Sequence, residues 1–360
     1  MYDENAAESM RHNSHDAIGA AGTHMFCRVH VFACVNVLLS SQVIFHEQVN
    51  KQRRALMFYL DLAMKLKRTL VLPRTRLLRR GKGIGQFEPK ADYVGWGELM
   101  NVSTIATLHP VMEWEQYVAL HGAHVSLLVP LRECKPSQEV VTFNGWPNVQ
   151  AAKISCEPGA QYAPNRLLQP PYAELESIAF MDTTDQLEMR TALGLRPFVQ
   201  FTHDTYSLAA DFAAKAFGGR KFVAVHWRQT DFLAVRRSQV GVLQSAAMVV
   251  GHIKALLRAR GLQDVYLATD CDDPRELAAV VQALSPARYE PGSAGDKSLG
   301  LLERTKIANV EIAICAMADA FMGTGTSSFT LAITEERTAV FQKPPQSTSE
   351  MKGPPPKDEL

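Results

Sequence analysis

Apolar residues along the chain fall into short continuous runs separated by longer amphipathic stretches, the pattern of buried parallel strands alternating with helices. Residues 29–39 form one such run, and Thr69-Leu70-Val71-Leu72 closed by Pro73 forms the next. Between them 53–67 predicts a helix, apolar at Leu56, Met57, Tyr59, Leu60, Ala63, Met64 and Leu66, after a polar loop over 45–52. A βαβ unit of this kind implies a parallel sheet with a right-handed crossover. Further on, 96–100 reads as a short helix and 111–117 as a strand entering a helix. Residues 130–175, rich in Pro, Asn and Gln, read as irregular chain.

After Arg196-Pro197, which marks a hinge, the alternation becomes more regular. Helices are expected over 206–217, 238–260, 274–284 and 304–317. Strands are expected over 222–227, 265–269, 287–290, 319–322 and finally 339–342. Gly218-Gly219 and Gly261 sit where helices should stop, and Pro274 where one should start.

Three places in this framework could carry chemistry. The first is 316–330, where an apolar strand breaks at Gly323-Thr324-Gly325 and resumes as Thr326-Ser327-Ser328 leading into a helix that ends in Glu335-Glu336-Arg337. A strand, a glycine turn and a helix start put backbone N–H groups at the carboxyl edge of a sheet, which favours a phosphate. The same hydroxyls are also ordinary helix caps. The second is the strand end His226-Trp227-Arg228, with Asp231 three residues on. Period-two alternation puts His226 and Arg228 on one face. A guanidinium there suits bidentate contact with a phosphate, and equally an ion pair to a neighbouring helix. The third is Glu47, in the loop after the first strand. It could act as a general base if burial raised its pKa, although loop glutamates are more often solvated.

With 360 residues there is material for two domains or one large one. A net charge of +1 gives no electrostatic case for a nucleic-acid partner, so any anion site must be local. No G-x-G-x-x-G opens the first helix, which speaks against a dinucleotide-dependent oxidoreductase. The six cysteines show no C-x-x-C; Cys34 and Cys315 read as buried thiols, and pairing of Cys134 with Cys156 is open.

The chain ends in Lys357-Asp358-Glu359-Leu360, a signal read by the KDEL receptor, which implies retention in the lumen of the endoplasmic reticulum. No signal-peptide pattern opens it. Residues 25–45 carry Arg28, His30, Asn36, Ser40, Ser41 and Gln42, too polar for a stable membrane span of ~20 apolar residues.

Taken together, these places resemble the GDP-fucose protein O-fucosyltransferases, and the thrombospondin-repeat type more than the EGF-repeat type. His226-Trp227-Arg228 with Asp231-Phe232 resembles the family's His-x-Arg-x-x-Asp-Phe strand end. The segment from Val310-Glu311 through Ser327-Ser328-Phe329 to Glu335-Glu336-Arg337 resembles its nucleotide-binding segment. Glu47-Gln48-Val49-Asn50, ahead of Arg53-Arg54, resembles its donor loop. Trp96-Gly97-Glu98-Leu99 and the stretch from Pro110 to Tyr117 resemble a segment of the thrombospondin-repeat branch.

The resemblance implies an α/β fold of GT-B type, two Rossmann-like domains facing across a cleft. Between a polar segment over 1–24, read as disordered, and an exposed tail over 343–360, the implied division is an N-terminal domain over 25–195 with the base and acceptor side and a C-terminal GDP-binding domain over 196–342. It also implies an inverting transfer of fucose from GDP-fucose to a Ser or Thr hydroxyl of a folded thrombospondin-type repeat, with no metal. Glu47 would be the base, and Arg228 would neutralise charge on departing GDP. His46, Glu47, Gln48, Val49 and Asn50 would lie on the donor. His226, Trp227, Arg228, Glu311, Ser327, Ser328 and Phe329 would hold the nucleotide.

This sequence departs from the family pattern at Phe45-His46 and Gln48-Val49, where the family carries Gly or Pro, at Gln229 in place of a second basic residue, and at Glu311 in place of an aspartate. Two other readings share these residues: a transferase acting on a glycan, and a non-catalytic protein that holds a GDP-sugar or client domains.

Overall fold

Two parallel sheets carry the fold. The computed structural model describes residues 37–39, 49–77, 92–130, 140–143, 146–151, 167–170, 172–181, 193–229, 232, 243–291 and 299–353, all within the second of two compact units, Val35–Leu360. The N-terminal sheet holds β1 (Val37–Leu39), β2 (Thr69–Leu72), β3 (Val111–Glu113), β4 (Leu127–Pro130) and β5 (Ser177–Met181), in the spatial order β3-β2-β1-β5-β4 and parallel throughout. The C-terminal sheet holds β6 (Phe222–Trp227), β7 (Asp264–Thr269), β8 (Ala320–Thr324) and β9 (Thr348–Met351), ordered β7-β6-β8-β9 and again parallel. Each parallel pair needs a crossover. The connections carry α1 (Val49–Leu66), α2 (Val102–Leu108), α3 (Trp114–His121), α5 (Ala246–Arg260), α6 (Pro274–Leu284), α7 (Leu301–Met317) and α8 (Ser328–Ala339), while α4 (His203–Phe217) lies between the last strand of the first sheet and the first of the second.

All six residues of β6 are buried, because helices cover both faces of its sheet. Phe222 and Ala224 face a core that runs on through Ile312 and Ile333 to Leu56, Met57 and Leu60 of α1. Val223, Val225 and Trp227 face the opposite core, against Val249 and Ile253 of α5 and Val280 of α6. None of the described helices is long and apolar enough to cross a membrane.

Several sequence expectations change. Val49 and Asn50, read as loop, are the first residues of α1. The 130–175 stretch contains strands at Val140–Phe143 and Trp146–Ala151, and β4 and β5 at its margins complete the N-terminal sheet. The strand expected over 287–290 is reduced to an isolated bridge between Ala287 and Tyr266. Residues 339–342 form no strand: Ala339 ends α8, and the last strand is Thr348–Met351, so the sheet continues into what was read as an exposed tail. Cys134 and Cys156, and the chain end at 354–360, lie outside the described residues.

The expected hinge at Arg196-Pro197 is a fastened joint. Both residues lie in a 3-10 turn, Leu193–Phe198, and Arg196 is 1% exposed. Its guanidinium donates to Glu336 of α8 and to the Val199 carbonyl at 2.5 Å. Glu336, 0% exposed, also accepts from Arg53 of α1 at 3.3 Å and from the Tyr206 hydroxyl of α4. Arg54 pairs with Glu335 beside it. The charges at the end of α8 therefore bind α1, the 193–198 turn and α4 to one helix. Arg337 works on the other side, donating to the carbonyls of Cys315, Ala316 and Ala318 at the end of α7.

Candidate active site

The carboxyl end of β6 emerges between β7 and β8, at the sheet edge where α/β proteins bind ligands. His226 lies on the face of β6 opposite Trp227, and its imidazole packs on the Phe329 ring at 4.7 Å between centroids. Its Nδ1 lies 2.8 Å from Thr330 Oγ1, so the strand end is bonded to the first turn of α8. Burial, with the Arg228 charge beside it, holds the His226 pKa down at about 3. The ring is therefore neutral at physiological pH and offers a hydrogen bond, not a charge. The cation here is Arg228, whose Nε lies 3.2 Å from Asp270 Oδ2.

α8 begins without the usual capping bond. Ser327 stands at the N-cap, but its hydroxyl accepts nothing from the first-turn N–H groups. Thr202, Ser245 and Asp273 all make that bond at the starts of α4, α5 and α6. A hydroxyl residue that leaves these donors uncapped keeps the positive helix end available to an anion.

The approach of α8 to β8 depends on Gly323. A Cβ there would stand 2.3 Å from Thr330 Cγ2 and 2.7 Å from Thr330 Oγ1. Gly323→Ala should push the first turn of α8 away from the strand end and break the His226–Thr330 contact. We expect a loss of roughly 1–3 kcal/mol in chemical unfolding, larger than for alanine at Gly300, where a Cβ meets nothing within 4 Å.

Glu311 lies on α7, within electrostatic reach of Asp270, which follows β7. It keeps part of its surface open although Tyr266, Arg288, Asp270 and Glu290 surround it. Burial raises its carboxyl to about 8, against the pull of Arg288. The Tyr266 hydroxyl faces it, buried, without closing a hydrogen bond of normal geometry. Asp270 lies near both Arg228 and Glu311.

Trp227 does not join this group. Its indole is fully buried on the opposite face of the sheet and donates to the Gln244 carbonyl at 3.1 Å. Val49 is buried in the core, and Asn50 is half-buried with an unpartnered Oδ1. His46, Glu47 and Gln48 lie outside the described residues. Thr324, Thr330 and Asp270 were not singled out from the sequence. Asp270 carried a readable sign, since it follows a strand at its carboxyl end as Arg228 does.

The segments around Trp96 and Glu113 also meet. The Gly97 N–H donates to Glu113 Oε1 at 2.9 Å, and the Glu113 N–H donates back to Gln116 in a capping box. Lys306 of α7 reaches Glu98 at 3.1 Å. Among the described residues no group of three or more His, Cys, Asp or Glu is placed to hold a metal ion.

The GDP-fucose protein O-fucosyltransferase profile matches residues 48–340, most of the chain. The chain belongs to that family. GDP-fucose protein O-fucosyltransferase 2 of Caenorhabditis elegans is 33% identical over 125 residues, which is 34% of this chain and 27% of that protein. The Homo sapiens protein of the same name is 33% identical over 124 residues, again 34% of this chain and 27% of the relative. The matched stretch thus spans about a quarter of these curated relatives. Among solved structures, POFUT1 in complex with GDP-fucose superposes with a TM-score of 0.65 at 15% identity, covering 88% of this chain and 99% of that one. At that identity the likeness shows the fold, and the fold is the GT-B arrangement.

Proposed function

We propose that this O-fucosyltransferase family member transfers fucose from GDP-fucose to a Ser or Thr hydroxyl of a folded protein, a thrombospondin-type repeat, in the lumen of the endoplasmic reticulum. The observation that carries the reading is the meeting of Arg228 at the end of β6 with the uncapped start of α8, through His226, Phe329 and Thr330. A guanidinium and helix-start N–H groups are what a departing diphosphate needs for electrostatic stabilisation. His226, being neutral, adds a hydrogen bond to the same group. In this reading the 25–195 portion carries the base and acceptor side and the 196–342 portion the nucleotide.

Glu47 takes the proton from the acceptor hydroxyl as the anomeric carbon is attacked with inversion, no metal taking part. One residue, Gln48, separates it from α1, which Arg53 and Arg54 fasten to Glu336 and Glu335 of α8. The helix that follows the base is thereby tied to the helix whose start faces the phosphates.

Glu311 holds the guanine end. A carboxylate accepts hydrogen bonds and a carboxylic acid accepts them poorly, so the ionised form is the binding form. Its pKa of about 8 then makes nucleotide binding release a proton near neutral pH. GDP affinity should rise about five- to tenfold from pH 7 to 8.5 and then level. Glu311→Gln should flatten that rise, as calorimetric titration would report; a flat profile in the parent chain would remove Glu311 from the site.

The whole reading is tested by assaying transfer from GDP-fucose to a folded thrombospondin repeat, a folded EGF repeat and a free glycan. Transfer to the first alone is expected. Transfer to the glycan alone, or none, would contradict it.

A further inference from the structure

We infer that Asp270 is the positioning residue that fixes Arg228 against the diphosphate, an inference that rests on the fucosyltransferase reading of this site. Trp227 pairs with Thr269 in the β6–β7 register, so residues 228 and 270 are the next to leave the two strand ends. Beyond that point side chains replace the ladder. The Thr269 hydroxyl donates to the Trp227 carbonyl at 2.7 Å. The Thr324 hydroxyl donates to the His226 carbonyl at 3.1 Å and accepts the Arg228 N–H at 2.9 Å. Asp270 Oδ1 accepts the Gln229 N–H at 2.8 Å, while Oδ2 sits 3.2 Å from Arg228 Nε.

One carboxylate therefore holds the backbone just after the arginine and one edge of its guanidinium. Because the guanidinium is planar, a contact at Nε sets the plane in which its remaining N–H groups point. Affinity does not account for this arrangement. A negative charge beside an anion site repels the nucleotide. Orientation does account for it, since a small misplacement of a group that acts in the transition state is costly.

The test is a comparison of kcat with GDP affinity in the full chain, for the parent, Asp270→Asn, Arg228→Ala and the double variant. Asp270→Asn removes the charge and loosens the guanidinium, so kcat should fall roughly 10- to 100-fold. Its GDP affinity should be unchanged or tighter, because a repulsive charge has gone. Non-specific damage would weaken both together. The double variant should be no slower than Arg228→Ala alone, since Asp270 acts through the arginine.

The inference is overturned by a kcat for Asp270→Asn within about threefold of the parent, by parallel loss of kcat and GDP affinity, or by additive losses in the double variant. If Asp270→Asn does not fold, Asp270→Glu carries the same comparison, with its charge displaced by one methylene. A parent chain that neither binds GDP nor transfers fucose overturns the fucosyltransferase reading and this inference with it. An active parent indifferent to Asp270 overturns the inference alone.

Discussion

Arg228→Ala should lower kcat by about 10²–10³ while the chain stays folded. That is the usual cost of losing one preorganised donor to a developing negative charge, about 3–4 kcal/mol of transition-state stabilisation. Arg228 is the cation at the strand end, and His226, with its pKa held near 3, cannot replace it. The fold should tolerate the change because Arg228 lies beyond the ladder of β6, and its partner Asp270 keeps the Gln229 N–H. Steady-state kinetics at saturating GDP-fucose, run alongside thermal unfolding, would check both parts. A kcat within about threefold of the parent would remove Arg228 from the mechanism.

Glu336→Ala should have the opposite profile, a failure of folding before any failure of chemistry. The carboxylate is 0% exposed and accepts from Arg53, Arg196 and the Tyr206 hydroxyl. Removing it leaves two buried guanidinium groups facing each other. Burial and the Arg196 charge already hold Arg53 down at about 10, and Glu336 is the main group opposing them. Breaking a buried ion pair by deleting one partner costs about 3–5 kcal/mol. Glu336→Gln keeps an acceptor and should cost less. Urea unfolding would separate the two variants, and a loss below about 1 kcal/mol for Glu336→Ala would show that the cluster is not what joins α1 and α4 to α8.

The sequence showed what is local. Buried runs marked β2, β6, β7 and β8, and the glycine and proline stops bounded α4, α5 and α6, because those signals sit inside the element they describe. Strand alternation alone turned Trp227 to the face opposite His226, a consequence of the rule that the family likeness obscured. β5 was missed because Ser177–Met181 is a five-residue run beside a Pro- and Asn-rich stretch that sets no pattern. β9 was missed because Thr348-Ser349-Glu350 is polar, as befits an edge strand with one neighbour and an open face. Val340 and Phe341 look like a strand in sequence. Phe341 instead packs edge-on against Tyr206 just past the end of α8, with centroids 5.8 Å apart.

What no local pattern could show is partner choice across long separations. Glu335-Glu336-Arg337 reads as the surface end of a helix. Its two carboxylates are instead spent on Arg53, Arg54 and Arg196, at least 140 residues away in the bonds they make. Asp270 likewise acquires its place only when β6 and β7 pair.

The central claim is that the end of β6 and the start of α8 hold one pyrophosphate. Calorimetric titration of the full chain with GDP and with guanosine, in a chelator, tests it most directly. Charge-assisted contacts of ~1.5–3 kcal/mol each predict GDP binding at least roughly 100-fold tighter than guanosine, with most of that difference lost in Arg228→Ala. Equal affinities for the two, or a difference that survives Arg228→Ala intact, would contradict it.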